Sequence, residues 1–181
     1  MPRYILLPAC LSTLVLASCA SVPNIPLLKS EKKPVLAVLE PVAGSGVSGT
    51  LEVAAVADGV RIAGRITGVA PGSMHGLHIH ERGDCSAPDS SPGGHFNPRG
   101  ADHGDAAALV HHLGDLPNQG ADAQGNMAVD VTVHQATLDS KLNDDVLGRS
   151  LVLRAGPDDY STQPDGGGGA AIACGVILRK P

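Results

Sequence analysis

Short β-rich runs, separated by turns rich in glycine and proline, follow one another through most of this 181-residue chain. The run MAVDVTVH at 127–134 alternates apolar and polar residues, which is the period of a strand with one buried face. Several such strands joined by tight turns predict an all-β, antiparallel sandwich or barrel. The segment 134–148 is the single helical candidate, and we interpret it as a loop with one turn of helix. The predicted strands lie at 35–42, 48–56, 60–69, 75–80, 127–134, 149–154 and 171–179.

The composition restricts both the core and the partners of the domain. Beyond residue 20 the only aromatic residues are Phe96 and Tyr160, so the core is expected to be aliphatic. The formal charge is −5 at pH 7. No basic stripe is present to neutralise phosphates, which argues against a nucleic-acid partner.

The N-terminal residues have the character of an export signal, with one basic residue, an apolar run and then small residues. The sequence LASC at 16–19 resembles a bacterial lipobox, in which the chain is cut before a cysteine that is then lipidated. It predicts a lipoprotein signal peptide at 1–18, lipidation of Cys19, a tether at 19–34 and a domain at 35–181. The alternative is an ordinary secretory signal. Either signal predicts export. Lipidation further predicts that the protein lies on the periplasmic face of a bacterial membrane, with the outer membrane expected. The lipid would be the only contact with the membrane.

Two cysteines remain in the predicted domain, Cys85 and Cys174. An even pair in an oxidising compartment suits a disulfide. That bond would close a loop of roughly 90 residues and contribute about 4–5 kcal/mol in the chain-entropy model. Two buried free thiols are the alternative.

All eight histidines lie between residues 75 and 134. His78 and His80 are one residue apart in a predicted strand, so their imidazoles point to the same face. They are interpreted either as surface histidines on a solvated strand or as a pair of metal ligands.

Two long segments, 81–126 and 155–170, lack strand patterns, and loops of this length inside a domain are usually functional or held by a ligand. In the first, the spacing of three of its histidines and one aspartate forms a donor set that suits structural Zn²⁺. A polar loop that happens to be rich in histidine is the alternative. These four residues are His95, His103, His112 and Asp115.

Four motifs together resemble the bacterial branch of the copper–zinc superoxide dismutases, over roughly residues 35–181. They are GLHIHERGDCS at 76–86, GGHFNPRGADHG at 93–104, HHLGDLPN at 111–118 and GGGGAAIACGVI at 166–177. The resemblance implies an eight-stranded antiparallel Greek-key β-barrel with two long loops around the metals, an architecture grouped with the sandwiches.

The resemblance also implies a role for individual residues. His78, His80 and His95 correspond to copper ligands, and His95 would bridge to zinc. The zinc ligands would be His95, His103, His112 and Asp115. Cys85 and Cys174 correspond to the family's disulfide, and Asp158 to a carboxylate that links copper-bound and zinc-bound histidines. His75 corresponds to a structural histidine, whereas His111 and His134 match nothing and are expected to be exposed.

Two positions depart from the family's pattern. Arg154 stands where the fourth copper-binding histidine is expected, and a guanidinium has no lone pair to offer a metal. At about 5 Å it would repel a metal by roughly 3 kcal/mol per unit charge at an effective dielectric of about 20. Copper binding therefore requires Arg154 to turn away. Ala171 stands where the family has an arginine that attracts superoxide.

These departures predict an exported metal-binding protein with an intact zinc site and an incomplete copper site, in which dismutase activity is weak or lost. Zinc is the expected cofactor, and copper could be held by three histidines. The alternative is a working periplasmic dismutase that converts superoxide to O₂ and H₂O₂, in which three copper ligands and an open position sustain slow turnover. Replacement of the missing arginine by Arg154 is conceivable but still leaves copper one ligand short.

Overall fold

The computed structural model describes residues 33–181, all of whose regular elements are β-strands. The predicted signal peptide, Cys19 and all but the last two residues of the predicted tether lie outside the described residues. Within 33–181 no helix is long and apolar enough to cross a membrane. The strands are β1 (Val35–Pro41), β2 (Ser48–Val56), β3 (Gly59–Thr67), β4 (Met74–His75), β5 (Leu77–His80), β6 (Gln119–Gly120), β7 (Asn126–His134), β8 (Ser150–Arg154) and β9 (Ala171–Arg179).

Seven strands form one antiparallel sheet in the order β5-β8-β9-β1-β2-β3-β7, and β4 pairs with β6 in a separate ribbon. Single bridges link His78 to Asp115 and Ala121 to Met127, so the ribbon connects the two edge strands β5 and β7. The connections from β3 to β5 and from β7 to β8 join strands that are not neighbours in the sheet, as in a Greek key. The predicted all-β Greek-key barrel is confirmed. When β4 and β5 are taken as one strand interrupted at Gly76, the described strands number eight, as predicted.

The core is almost entirely aliphatic because strands of this composition alternate buried and exposed side chains. In β7 the apolar residues Met127, Val129 and Val133 are buried, whereas Asp130 is exposed. Phe96 is the aromatic residue of the described core. His78 and His80 of β5 lie on the opposite face from the core residues Leu77 and Ile79, and hydrogen bonds join them to the two long loops at Asp158 and Gly93.

The segment 134–148 contains no helix, so the predicted helical turn is wrong, although the loop itself is confirmed. The Asp145 carboxylate accepts hydrogen bonds from the backbone N–H groups of Asp139 (3.0 Å), Lys141 (2.7 Å) and Leu147 (2.9 Å). An aspartate that takes up backbone donors in this way competes with helix formation. Burial alone would raise the pKa of Asp145, but the hydrogen bonds from Leu147, Lys141 and Asp139 outweigh it and the pKa is lowered.

We predict that Asp145→Ala destabilises the domain by about 2–3 kcal/mol at pH 7, because three part-buried hydrogen bonds from backbone N–H groups lose their acceptor. The native pKa of Asp145 is lowered, so its stabilisation is fully present above the ordinary value of 3.8 and declines as pH falls below it. The difference in free energy of unfolding between Asp145→Ala and the unmodified protein, measured by urea unfolding, should therefore be smaller at pH 3 than at pH 7. Glu40→Ala, which removes one exposed carboxylate from β1, is the control. Equal destabilisation by both variants would contradict the assignment.

Candidate metal centre

Strand β5 presents two fully buried imidazoles to its outer face. The His78 Nε2–H group donates to the Asp158 carboxylate at 2.7 Å, which leaves Nδ1 as the available nitrogen. The His80 Nδ1–H group donates to the carbonyl of Gly93 at 2.8 Å, which leaves Nε2 available. The reading of these residues as surface histidines is therefore wrong, since the loops cover both of them.

Backbone hydrogen bonds seat the long loop directly on β5. The N–H group of Ile79 donates to Gly114, that of Phe96 donates to Ile79, and that of Gly114 donates to Phe96, at 2.8–2.9 Å. A Cβ atom at Gly114 would collide with the Ile79 carbonyl, so only glycine allows this approach. The three segments are thereby locked together, which brings His95 and Asp115 beside the histidines of β5.

Four buried side chains converge on the predicted zinc position. The Asp115 Oδ1 atom lies 2.7 Å from His95 Nδ1, 3.0 Å from His103 Nδ1 and 3.3 Å from His112 Nδ1. Ligands about 2.0–2.1 Å from a tetrahedral ion lie roughly 3.3 Å from one another, so these separations are close to those a zinc ion requires. We call these residues the four-donor set.

The second oxygen of Asp115 is held by the backbone, with hydrogen bonds from the N–H groups of His112 (2.8 Å) and Gly104 (3.2 Å). Burial alone would raise the pKa of Asp115, but the contacts with His112 and His95 outweigh it and hold the pKa well below its usual range. Asp115 is therefore ionised at neutral pH, the state in which a carboxylate binds a metal.

His95 also belongs to a second group, with His78 and His80, that we call the three-histidine set. The ring centroids of His95 and His78 lie 4.0 Å apart. Desolvation is the main cause that lowers the pKa of His80 to about 3 and that of His95 to about 4. Both imidazoles are neutral at pH 7 and so offer lone pairs to a metal.

Five buried ring nitrogens of the described residues have no hydrogen-bond partner, an uncommon and costly arrangement in a folded protein. All five belong to the two sets, which therefore fit metal ions. They are His78 Nδ1, His80 Nε2, His95 Nε2, His103 Nδ1 and His112 Nδ1.

Asp158 belongs to neither set, but it forms hydrogen bonds with one histidine of each. Its carboxylate accepts hydrogen bonds from His78 Nε2–H at 2.7 Å and from His103 Nε2–H at 3.0 Å. Its backbone N–H donates to Asn118 at 2.8 Å, and the Asn118 amide donates back to the Asp158 carbonyl at 2.8 Å. Burial opposes ionisation, but hydrogen bonds from His78 and the Tyr160 N–H keep the pKa of Asp158 below its ordinary value. Asp158 thus fixes the orientation of both imidazoles.

The two departing positions, Arg154 and Ala171, are cross-strand partners on β8 and β9. A β-bulge next to this pair keeps both residues on the outer face. The Arg154 side chain is buried, with Nη1 3.3 Å from the carbonyl oxygen of Gly169 and 3.6 Å from the Asp89 carboxylate. Asp89 also accepts the Ala171 N–H at 2.7 Å. The guanidinium is thus held toward these partners.

Cys85 and Cys174 form the predicted disulfide, so the free-thiol alternative is wrong. The bond ties the loop that begins after β5 to strand β9, and the same loop carries Asp89. Cys174 packs with Val152 and Ala171 in a small apolar cluster on the outer face.

The remaining histidines are outside both donor sets. His75 is buried and donates from Nδ1 to the Arg154 carbonyl at 2.7 Å, while Nε2 faces the Ser73 hydroxyl. His134 is exposed, as predicted, and contacts Asp58. His111 is half-buried rather than exposed, because its Nδ1–H donates to the His112 carbonyl at 2.6 Å and holds the ring against the loop.

Several supporting residues were not identified from the sequence. Gln163 accepts the His103 N–H and donates to the His103 carbonyl, both at 2.9 Å. Gly93 orients His80, and Asp89 faces Arg154. Each of these contacts joins distant parts of the chain through an ordinary polar group, so no local pattern signals it.

We predict that Asp115→Ala weakens zinc binding by at least about 100-fold, because an ionised donor is lost from the four-donor set. Limited proteolysis within 81–126 should become faster in the zinc-treated variant than in the zinc-treated unmodified protein. Zinc affinity is measured by competition with a chromophoric chelator. Asp102→Ala, which removes an exposed carboxylate from the same loop, is the control. Unchanged proteolysis and zinc affinity in Asp115→Ala would contradict the zinc assignment.

Comparisons with known proteins agree with this arrangement. The sequence profile of the family described as copper/zinc superoxide dismutase (SODC) matches residues 47–177. The chain is 40% identical over 135 residues to copper–zinc superoxide dismutase 2 of Aquifex aeolicus, and this aligned region covers 72% of this chain and 79% of that protein. It is 42% identical over 112 residues to the superoxide dismutase-like protein YojM of Bacillus subtilis, which covers 60% of this chain and 57% of that protein. A crystal structure of a superoxide dismutase-like protein from Bacillus subtilis superposes with a TM-score of 0.70 and 32% identity, covering 79% of this chain and 97% of that one.

Proposed function

Because the chain belongs to the copper/zinc superoxide dismutase family, we propose that it is an exported metal-binding protein with an intact zinc site and an incomplete copper site. Its dismutase activity is weak or absent. The observation that carries the proposal is the unequal number of convergent donors, which is four around the zinc position and three around the copper position.

Zinc would be held by the four-donor set, His95, His103, His112 and Asp115. Three imidazoles and one carboxylate form a closed tetrahedral set, the type that stabilises a fold. A zinc ion there would join residues from separate parts of the 81–126 segment. This role is supported by the backbone hydrogen bonds that already fix Asp115.

Copper would be held by the three-histidine set, His78, His80 and His95. Bound copper supplies one-electron oxidation and reduction, the chemistry with which the family acts on superoxide. The Gly93 carbonyl and the Asp158 carboxylate orient His80 and His78 by their opposite ring nitrogens. No fourth imidazole joins this set among residues 33–181, and Arg154 occupies the position where the family's fourth copper-binding histidine is expected.

One observation favours the alternative, a working dismutase. Since Arg154 is the cross-strand partner of Ala171, a cation remains on the face where the family's arginine is missing. Arg154 would then attract superoxide in place of that arginine. Against this, Asp89 lies 3.6 Å from the guanidinium and offsets its charge.

We predict that the Arg154→His/Ala171→Arg double variant has far higher dismutase activity than the unmodified protein, because it restores an imidazole donor and the cation of position 171. Activity and metal content are measured on the purified domain with and without added copper. Comparable activity in the unmodified protein would overturn the proposal in favour of the alternative. Inactivity of both copper-treated proteins would show that these two positions do not explain the loss.

The proposal places the protein on the periplasmic face of a bacterial membrane, with the outer membrane expected, as a lipoprotein anchored through Cys19. The disulfide between Cys85 and Cys174 supports export, because such bonds persist in oxidising compartments. The lipobox-like LASC sequence supports lipidation.

We predict that Cys19→Ser moves the full-length protein from the membrane fraction to the soluble exported fraction, or leaves its signal uncleaved, because the lipid attachment site is lost. Incorporation of labelled palmitate and detergent phase partition measure the change. Cys10→Ser, a change inside the predicted signal, is the control. Unmodified protein without label, in the aqueous phase, would instead support an ordinary secretory signal.

A further inference from the structure

Arg154 lies on the same face of the sheet as the histidines of β5. In the β5–β8 pairing, His78 is opposite Val152 and His80 is opposite Ser150. Side chains on one face recur every second residue, so Arg154 shares the face of Val152. It is diagonal to His78, within reach of a long side chain.

The surroundings of Arg154 accommodate its side chain and limit its movement. A Cβ atom at Gly168 would lie only 3.0 Å from Arg154 Cβ and 3.2 Å from Cγ, so glycine leaves room for the stem. The opposite residue, Ala171, is also small. At its end the guanidinium contacts the Gly169 carbonyl and Asp89. The positive charge is therefore held at Gly169 and Asp89, on the face of the sheet that carries His78 and His80.

The two donor sets consequently differ in their nearby charges. Asp158 contacts one histidine of each set, at His78 and His103. Asp115 is itself a ligand of the four-donor set, whereas the cation of Arg154 lies on the side of the three-histidine set, whose own ligands carry no negative charge. The strand register, with His78 opposite Val152, places Arg154 diagonal to His78 on the same face of the sheet. The repulsion between a fixed cation and a metal ion is proportional to the charge of the ion.

We propose that Arg154 is a specificity-determining residue that makes the three-histidine set favour a monovalent metal ion, copper(I), over divalent ions. This inference rests on the proposed function, because it assumes that His78, His80 and His95 hold copper. The three imidazole ligands carry no negative charge, so the repulsion between Arg154 and a bound ion is larger for a divalent ion than for a monovalent one. Asp89 moderates the effect as the counter-charge.

The proposal predicts a quantitative relation between two affinities. Arg154→Gln should raise the affinities for both copper ions relative to the unmodified protein. The fold-increase for copper(II) should be the square of the fold-increase for copper(I), because the repulsion that is removed is twice as large for the divalent ion. We expect rises of about 10-fold for copper(I) and about 100-fold for copper(II). Both are measured on protein loaded with one equivalent of zinc. Copper(I) is titrated anaerobically against bicinchoninate and copper(II) against nitrilotriacetate.

Variants of Asp89 and of a remote ion pair complete the experiment. Asp89→Asn removes the counter-charge but keeps an oxygen for the Ala171 N–H, and it should lower both affinities with the same squared relation. Arg61→Gln and Asp130→Asn make the same charge changes in an exposed pair and should leave both affinities unchanged.

Two outcomes for Arg154→Gln would overturn the inference alone: an equal fold-change in affinity for the two copper ions, or no change in either affinity. Failure of both the unmodified protein and Arg154→Gln to bind either copper ion would overturn the three-histidine site and the inference with it.

Discussion

The Asp158 carboxylate is the contact on which the geometry of the metal centre depends. It accepts hydrogen bonds from His78, 80 residues away in the sequence, and from His103, 55 residues away. A buried carboxylate is costly unless its lone pairs are satisfied. The fold therefore has to bring β5, the 81–118 loop and the 155–170 loop to one point. The amide of Asn118 and the N–H group of Tyr160 complete this junction.

Around that junction the two donor sets share His95 but differ in charge. The four-donor set has an ionised ligand whose second oxygen is fixed by backbone N–H groups. On the side of the three-histidine set, Arg154 and Ala171 are paired across β8 and β9. The two positions that the family resemblance identifies as departures are therefore neighbours, with a large cation on β8 opposite a small residue on β9. Under the proposed function, they alter the electrostatics at one of the two sites and leave the fold unchanged.

The strands were largely predictable because their signal is local. Alternation in β7 and the turn residues between runs place strands within a few residues of where they lie. The two-residue strand β6 escaped prediction because it is too short to show a period, and it forms through pairing with β4. The helical turn in 134–148 was wrong because the Asp145 carboxylate captures N–H groups that a helix would use. The four-donor set was predicted from residue types and spacing, and the pair His78 and His80 from strand alternation, whereas the membership of His95 in both sets came from the family resemblance. Asp89 and Gln163 were not identified, because an isolated polar residue in a loop has no local pattern.

The sequence by itself determined the class of fold, the disulfide partners, the residues available as donors and the two positions that depart from the family. These properties follow from residue type and order, which the chain carries locally. The tertiary structure decided which ring nitrogen of each histidine is free, that Arg154 and Ala171 are neighbours and that Asp89 faces the guanidinium. Such properties depend on contacts between segments far apart in the sequence. They are settled only when the loops are seated on the barrel and buried polar groups must find partners.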